Sequence, residues 1–313
     1  MPSPIRFELM VLLAKIEGTY GTDPTPTGAA NAMLVKKVEI SPMEGEDISR
    51  ELMLSYLGGQ ATIPTGLHVV LKFETELAGS GAAGIAPDWG PLARSCKLAE
   101  TIVADTSVTY NPISDAMEST SFYFWIGNIK HVSTGARGDA VIKINAQGIP
   151  VIAWTFTGLW AAPAEAAAAT PTLTRFIKPL IASKANTPAF TVNSVALVLR
   201  SYSLALKNDV QRRFLIGREE VFIQNSAEQL DLVVETAPLS TFNPYSLAAA
   251  QTLVPVSIVH GTVAGNIVTI DAATAQLRRP GGYQNNQGVA EQALSLNMLP
   301  SSAGNDQFSL ALT

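Results

Sequence analysis

Side chains that do chemistry are scarce in this sequence and poorly spaced for it. Histidines stand only at positions 68, 131 and 260. A zinc centre needs several nitrogen, sulfur or oxygen donors converging on one ion, and the chain has no HExxH, CxxC or EF-hand loop. His68, His131 and His260 lie in or beside strand-like segments and read as strand-surface residues. The single cysteine, Cys96, shares helical spacing with Leu92 and Ala99 and has no basic neighbour to activate a thiol, so it reads as a small core residue. One cysteine makes no internal disulfide, and nothing asks for an oxidising compartment. Gly79, Gly81 and Gly84 mimic a dinucleotide fingerprint, but Ile85-Ala86-Pro87 follow and open no helix. Neither G-x-x-x-x-G-K-[ST] nor G-x-S-x-G occurs. The densest charged group is Glu44, Glu46, Asp47 and Glu51. It could be drawn as a metal or acid/base site, although such a run is ordinarily a solvated loop. The expectation is no metal, no cofactor and no enzyme.

The elements that position these residues are mostly strands. Residues 67–77 alternate, with Leu67, Val69, Leu71, Phe73 and Thr75 on one face and His68, Val70, Lys72, Glu74 and Glu76 on the other. That is the period-2 pattern of a sheet with one buried face. Further strands are expected at 32–40, 107–110, 121–131, 139–145 and 149–160, with 122–126 bulky on both faces. Residues 41–66 read as a long connection carrying the acidic group. Residues 135–138 and 147–148 read as hairpin turns. Pro87 and Pro91 lead into a helix expected over 92–100.

The second half repeats this order. A strand is expected over 190–199, then a basic connection with Lys207, Arg212, Arg213 and Arg218. After it come a strand at 229–236, a helix at 244–252 and strands at 256–259, 267–272, 289–297 and 307–312. An Ala/Pro-rich stretch, 161–188, reads as a linker between the copies. The domains expected are an N-terminal arm (1–31), a β domain (32–160), the linker (161–188) and a second β domain (189–313). The arm contains Gly18, Gly21, Pro24, Pro26 and Gly28, which suit neither helix nor an internal strand. The apolar run just before it, residues 9–14, wants burial and is too short to span a membrane.

Charged residues are 15% of the chain and the formal net charge is −5. Up to Trp160 there are 11 basic and 16 acidic residues, and beyond it 10 of each. Neither half is basic, which gives no support to tight electrostatic DNA binding. Low charge with 47% hydrophobic residues suits surfaces buried between subunits.

Lys15-Ile16-Glu17, Thr19-Tyr20-Gly21-Thr22-Asp23, Pro26-Thr27 and Pro42-Met43-Glu44-Gly45-Glu46 together resemble the opening of tail tube proteins (major tail proteins) of long-tailed, siphovirus-type bacteriophages. The resemblance is specific over about the first sixty residues and architectural beyond them. It implies a mainly β fold: two tandem tail-tube-type β-sandwich or barrel domains, each with a short flanking helix, plus an extended N-terminal arm. It implies a structural virion protein that stacks as rings into a hollow tail tube for genomic DNA. Three two-domain chains would make a pseudo-sixfold ring, with a homohexamer as the alternative. The implied partners are further copies of the chain, the tape measure protein, and the terminator and tip proteins, with double-stranded DNA passing through and no membrane insertion. Synthesis and assembly would occur in the host bacterial cytoplasm. The inter-subunit contact candidates are Glu44, Glu46, Asp47, Glu51, Arg212, Arg213, Arg218, Tyr20 and Asp23, with the acidic group facing the basic one. The alternative function is a carbohydrate- or receptor-binding β-sandwich module of a tail tip or fibre, for which Trp89, Trp125, Trp154 and Trp160 could form a platform.

Overall fold

Alternating apolar residues and paired turns build a mainly β chain, seen in a computed structural model that describes residues 4–313. The first half contains β1 (Met10–Ile16), α1 (Gly28–Asn31), β2 (Lys36–Ser49), β3 (Thr62–Glu76), α2 (Gly90–Arg94) and β4 (Leu98–Val103). It continues through β5 (Ser107–Pro112), β6 (Thr120–Ile126), β7 (Ile129–Asn145), β8 (Val151–Trp160) and β9 (Ala164–Glu165). The second half contains β10 (Ala189–Val192), β11 (Val195–Ala196), β12 (Leu199–Ala205), β13 (Val210–Leu215), β14 (Arg218–Ile223) and β15 (Gln229–Glu235). After α3 (Pro244–Ala249) come β16 (Leu253–His260), β17 (Val268–Leu277), β18 (Tyr283–Asn286), β19 (Val289–Met298) and β20 (Ser309–Leu312).

One layer is a continuous antiparallel run, β2-β3-β8-β7-β12-β15-β19-β18. The halves meet in it where Val141–Asn145 of β7 lies opposite Ser201–Ala205 of β12. The facing layer includes β4-β5-β20-β17-β16-β10, in which the last strand of the chain joins β5 of the first half. Phe73, Phe122, Trp154 and Phe156 belong to the same packed core as Tyr202, Leu230 and Ile270. Strand pairing and core packing thus run through both halves.

Several expectations change. The apolar run before the arm finds its burial as β1, paired with β6. Of residues 41–66, the two ends are the outer stem of the β2–β3 hairpin and 50–61 its loop, so Glu44, Glu46 and Asp47 stand on a strand. The basic connection is likewise a hairpin, β13–β14. Alternation fails in both stems because neither buries one face continuously. Residues 121–131 are two strands joined by a turn, and 135–138 form an irregularity inside β7, with the register shifting between Thr134 and Arg137. The helix expected over 92–100 is a single turn, α2. Lys97 takes a positive φ of 69°, and β4 starts at once. His68 and His260 are buried rather than on a strand surface. The stretch 161–188 lies against both halves, with Thr172 N–H donating to the Gly28 carbonyl (2.9 Å), Arg175 paired with Asp88 (2.9 Å) and Gly261 N–H donating to the Asn186 carbonyl (2.7 Å).

Candidate functional site

With catalytic motifs lacking, the functional surfaces must be sought in what the sheets leave uncovered. The eight-stranded run has one face on the core and one away from it. Leu71, Phe73 and Thr75 of β3 point inward. Lys72, Glu74 and Glu76 therefore point outward, because strand side chains alternate. The same alternation directs Asp139, Val141 and Lys143 of β7 outward, and with them Ser201, Ser203 and Ala205 of β12 and Asp231, Val233 and Glu235 of β15. This outer face is small, polar and weakly acidic. A concavity of about 410 Å³ lies on it, lined by Ser201, Ser203, Asp231, Arg279 and Ser295 among others. Glu74 and Glu76 are shared with Lys37 and Lys36 at 3.1 and 3.8 Å. Among the described residues, the two ends of the run, β2 and β18, each pair on one side only.

Two hairpins project from the sheet. The tip of β2–β3 exposes Met53, Tyr56 and Leu57, flanked by Leu52 and Leu54. Gln60 closes the base of this loop: its Oε1 accepts from Leu52 N–H (2.8 Å) and its Nε2 donates to the Leu52 carbonyl (2.6 Å). The hydrophobic effect opposes leaving an apolar tip of this size in water. The β13–β14 tip exposes Leu215 and Ile216 in the same way.

Glu44, Glu46 and Asp47 are exposed on the β2 stem, and Glu51 follows it in a left-handed conformation (φ 48°). None of these four has an ion-pair partner among the described residues. The β13–β14 hairpin folds back over one end of the sheet. Arg212 reaches Nε2 of His68, whose Nδ1 lies 2.9 Å from the Gly66 carbonyl. His68 is opposite Glu44 in the ladder, so one chain already brings Arg212 to the acidic stem. Arg213 is opposite Glu220 on the next strand, and Arg218 pairs with Glu220.

Tyr20 and Asp23 fasten the arm within the chain. The Tyr20 hydroxyl accepts from Val221 N–H (2.6 Å), and the Arg137 guanidinium lies 4.9 Å from its ring centre. Burial raises the Tyr20 pKa and keeps the phenol protonated. Arg137 also donates to the carbonyls of Val221 (2.9 Å) and Met117 (3.0 Å) and pairs with Glu220 (3.2 Å). Asp23 accepts from the Tyr123 hydroxyl.

Sequence reasoning missed the residue that organises this region. Glu17, 7% exposed, receives four hydrogen bonds. Ser121 Oγ and Gly135 N–H donate to Oε1, both at 2.6 Å, while Gly21 N–H and Ser119 Oγ donate to Oε2, both at 2.7 Å. The signal available was its place in Lys15-Ile16-Glu17, directly before a glycine-rich arm. Gly135 has φ 59°, and a Cβ there would meet the Tyr20 ring at 2.7 Å, so glycine is required at the contact.

The remaining chemical candidates are structural. Cys96 is fully buried, and burial raises its thiol pKa well above the usual value. Gly79 and Gly81 hold the second half: Gly81 N–H donates to the Gly265 carbonyl (3.0 Å) and Gly79 N–H to Asn266 Oδ1 (3.0 Å). No group of three or more metal-ligating side chains comes together among the described residues. Trp89, Trp125 and Trp154 are buried and Trp160 is half-buried, so these four tryptophans do not form the exposed platform on which a glycan would stack. No helix among the described residues is long and apolar enough to cross a membrane.

No curated protein matches the chain. The family model described as phage tail tube protein matches residues 9–297, which takes in the arm from residue 9, both projecting hairpins, every strand through β18 and all but the last residue of β19. The chain belongs to the phage tail tube protein family, and is a structural component of the virion tail.

Proposed function

We propose that this protein polymerises into stacked rings that form the hollow tail tube through which genomic DNA reaches the host. The observation that carries this reading is the eight-stranded sheet with both end strands open and a polar, weakly acidic face turned away from the core. Bent around an axis, such a face lines a bore. Duplex DNA carries about one charge per 1.7 Å of its axis, so a basic wall would retain it, whereas an acidic one lets it slide.

Each chain supplies two tube folds, divided near the 161–188 segment. In each, a hairpin with a projecting stem (β2–β3; β12 to β15 with β13–β14) precedes a short helix and a further hairpin (β4–β5; β16–β17). Three chains then close a pseudo-sixfold ring. The exposed apolar tips and the acidic β2 stem serve stacking between rings, with Glu44, Glu46, Asp47 and Glu51 of one chain facing Arg213 and Arg218 of another. The tape measure protein would occupy the bore during assembly, and terminator and tip proteins would cap the ends. Assembly takes place in the bacterial cytoplasm. Head-to-tail contacts that do not close along the axis give a filament.

Negative-stain microscopy of the purified protein tests this reading. Tubes with a regular ring repeat and an axial channel are expected. Discrete particles at high protein concentration would overturn it.

A further inference from the structure

We propose that β18 of one chain pairs antiparallel with β2 of the next, with Gln284 opposite Glu39 and Asn286 opposite Lys36. The inference rests on ring formation and adds which edges meet and in what register.

The chain contains its own template for the joint. Within the eight-stranded run, each half contributes four strands in the same order: β2-β3-β8-β7, then β12-β15-β19-β18. The last strand of the first set pairs with the first strand of the second, β7 with β12. The last strand of the second set, β18, has no such partner among the described residues, and neither does β2. Every pairing in the run is antiparallel, so an even number of strands leaves β18 and β2 oppositely directed. Joining them end to end therefore continues the alternation without a parallel pair.

The register follows row by row. In the first half Glu76, Val151 and Lys143 lie side by side, and β12 extends that row with Ser203. In the second half the matching row is Glu235, Glu291 and Gln284. Lys143 and Gln284 stand alike, two residues before the ends of β7 and β18. Ser203 is opposite Asp231, four residues before Glu235; four before Glu76 is Lys72, opposite Glu39. Glu39 thus holds on β2 the place Ser203 holds on β12, and Gln284 must meet it. By the same step Asn145 opposite Ser201 becomes Asn286 opposite Lys36. The adjoining row, on the far side of Gln284 from Asn286, sets Tyr283 beside Ile40, as Ile142 stands beside Leu204.

The surfaces fit this occupant. Tyr283 is 57% exposed in the single chain, although its alternation puts it on the core side. An open apolar groove of about 430 Å³ runs along β2 beside its free edge, lined by Met10, Leu12, Met33, Val35, Val38 and Phe124 among others. No like charges face each other in the proposed rows. The β18–β19 turn has positive φ at both Gln287 (53°) and Gly288 (85°), the conformation of a two-residue hairpin turn. Such a turn is flanked by a hydrogen-bonded pair, so alternation sends the Asn285 N–H to the outer edge.

The test is a Gln284→Cys/Glu39→Cys double variant of the full chain, assembled and then oxidised. Directly opposed strand positions bring Cβ atoms to about 4.5–5.5 Å, within reach of a disulfide. Denaturing gels without reductant should show covalent dimers and trimers, while Gln284→Cys/Lys72→Cys, one strand further away, should stay monomeric. A second variant, Asn285→Pro, removes the outward donor together with Asn285 Oδ1, which accepts from Gly288 N–H (2.9 Å) in the turn; Asn285→Ala, which loses only that turn bond, is its control. Asn285→Pro should keep the unfolding midpoint of the Asn285→Ala monomer and lose rings, while Asn285→Ala still forms them. Tubes that form without the Gln284–Glu39 crosslink, or from Asn285→Pro at the usual yield, would overturn this pairing and leave polymerisation standing. Failure of the unaltered chain to form rings would remove the functional reading itself, and this joint with it.

Discussion

Glu17→Gln puts the sharpest demand on the account of the N-terminal region. The carboxylate accepts four hydrogen bonds, two from backbone N–H groups and two from serine hydroxyls, at 2.6–2.7 Å. Each oxygen serves one of each kind. Glutamine keeps the shape but turns one acceptor into a donor. The serine facing that NH2 can rotate and accept; the backbone N–H facing it cannot. Hydrogen bonds to charged groups contribute about 1.5–3 kcal/mol, and a stranded buried donor costs about 1–3 kcal/mol. Losing the charge and stranding one N–H should cost about 3 kcal/mol. Unfolding entropy of about 2.1 cal/mol/K per residue converts that into a fall of roughly 5 °C in the thermal midpoint. Glu17→Ala removes all four acceptors and should cost more. The assay is calorimetry of the unassembled chain, with limited proteolysis as a local readout: cleavage near Tyr20 to Thr27 should accelerate in both variants. A Glu17→Gln chain with an unchanged midpoint and an uncut arm would refute the claim that this carboxylate holds the arm against β6 and β7.

Three further outcomes are expected. Met53→Glu with Leu57→Glu should leave the monomer within about 0.5 kcal/mol of its original stability, because both side chains are fully exposed, and should abolish or shorten tubes by microscopy. Glu46→Lys with Asp47→Lys should lower polymer yield in sedimentation without unfolding the monomer; normal polymerisation would refute the pairing of the acidic stem with a neighbour's arginines. Burial holds the His260 imidazole below its usual 6.5, with the Leu180 carbonyl opposing in part. The unfolded chain therefore takes up a proton that the folded chain refuses. This contribution to stability is present above about pH 6.5, is lost as pH falls through the folded pKa, and then levels off. Urea midpoints should fall between pH 7.5 and 5, and His260→Gln should flatten that slope by comparison with the unaltered chain.

The strands that bury one face were legible. Residues 67–77 announce β3 by alternation, and the bulky run at Phe122 to Trp125 announces a strand buried on both sides. The projecting stems were not. Glu44 to Asp47 and Arg212 to Leu215 have solvent or a neighbouring hairpin beside them, and without a continuous core face there is no period to detect. The acidic and basic groups were therefore found as residues but misplaced as loops. Tyr20 and Asp23 drew attention through a motif, and the structure uses both within the chain. Glu17 was hidden because a buried carboxylate is recognisable only by its donors, and three of the four are distant in sequence: Ser119, Ser121 and Gly135. The β7–β12 joint was unreadable for the same reason, since pairing across some sixty residues leaves no local trace.

How the halves are joined bears on what the chain is for. Two beads on a flexible linker would transmit neither the position nor the curvature of one half to the other. Here β7 passes directly into β12 in one layer and β5 into β20 in the other. Between the layers, Asn208 donates its side-chain amide to the carbonyls of Cys96 (2.9 Å) and Gly138 (3.0 Å), and Lys97 pairs with Glu228 at 3.8 Å. Rotating one half against the other would break both ladders and strand these buried groups, each at a cost of about 1–3 kcal/mol. The angle between the halves is therefore fixed by backbone hydrogen bonds. A subunit that must bend a sheet by a constant amount around a bore needs such a fixed angle. A ligand-binding module needs no such angle, and in this chain the rigidity lies along the sheet and the adaptable, apolar, solvent-facing parts are the hairpin tips. That division of labour is the one that the proposed ring of identical chains requires.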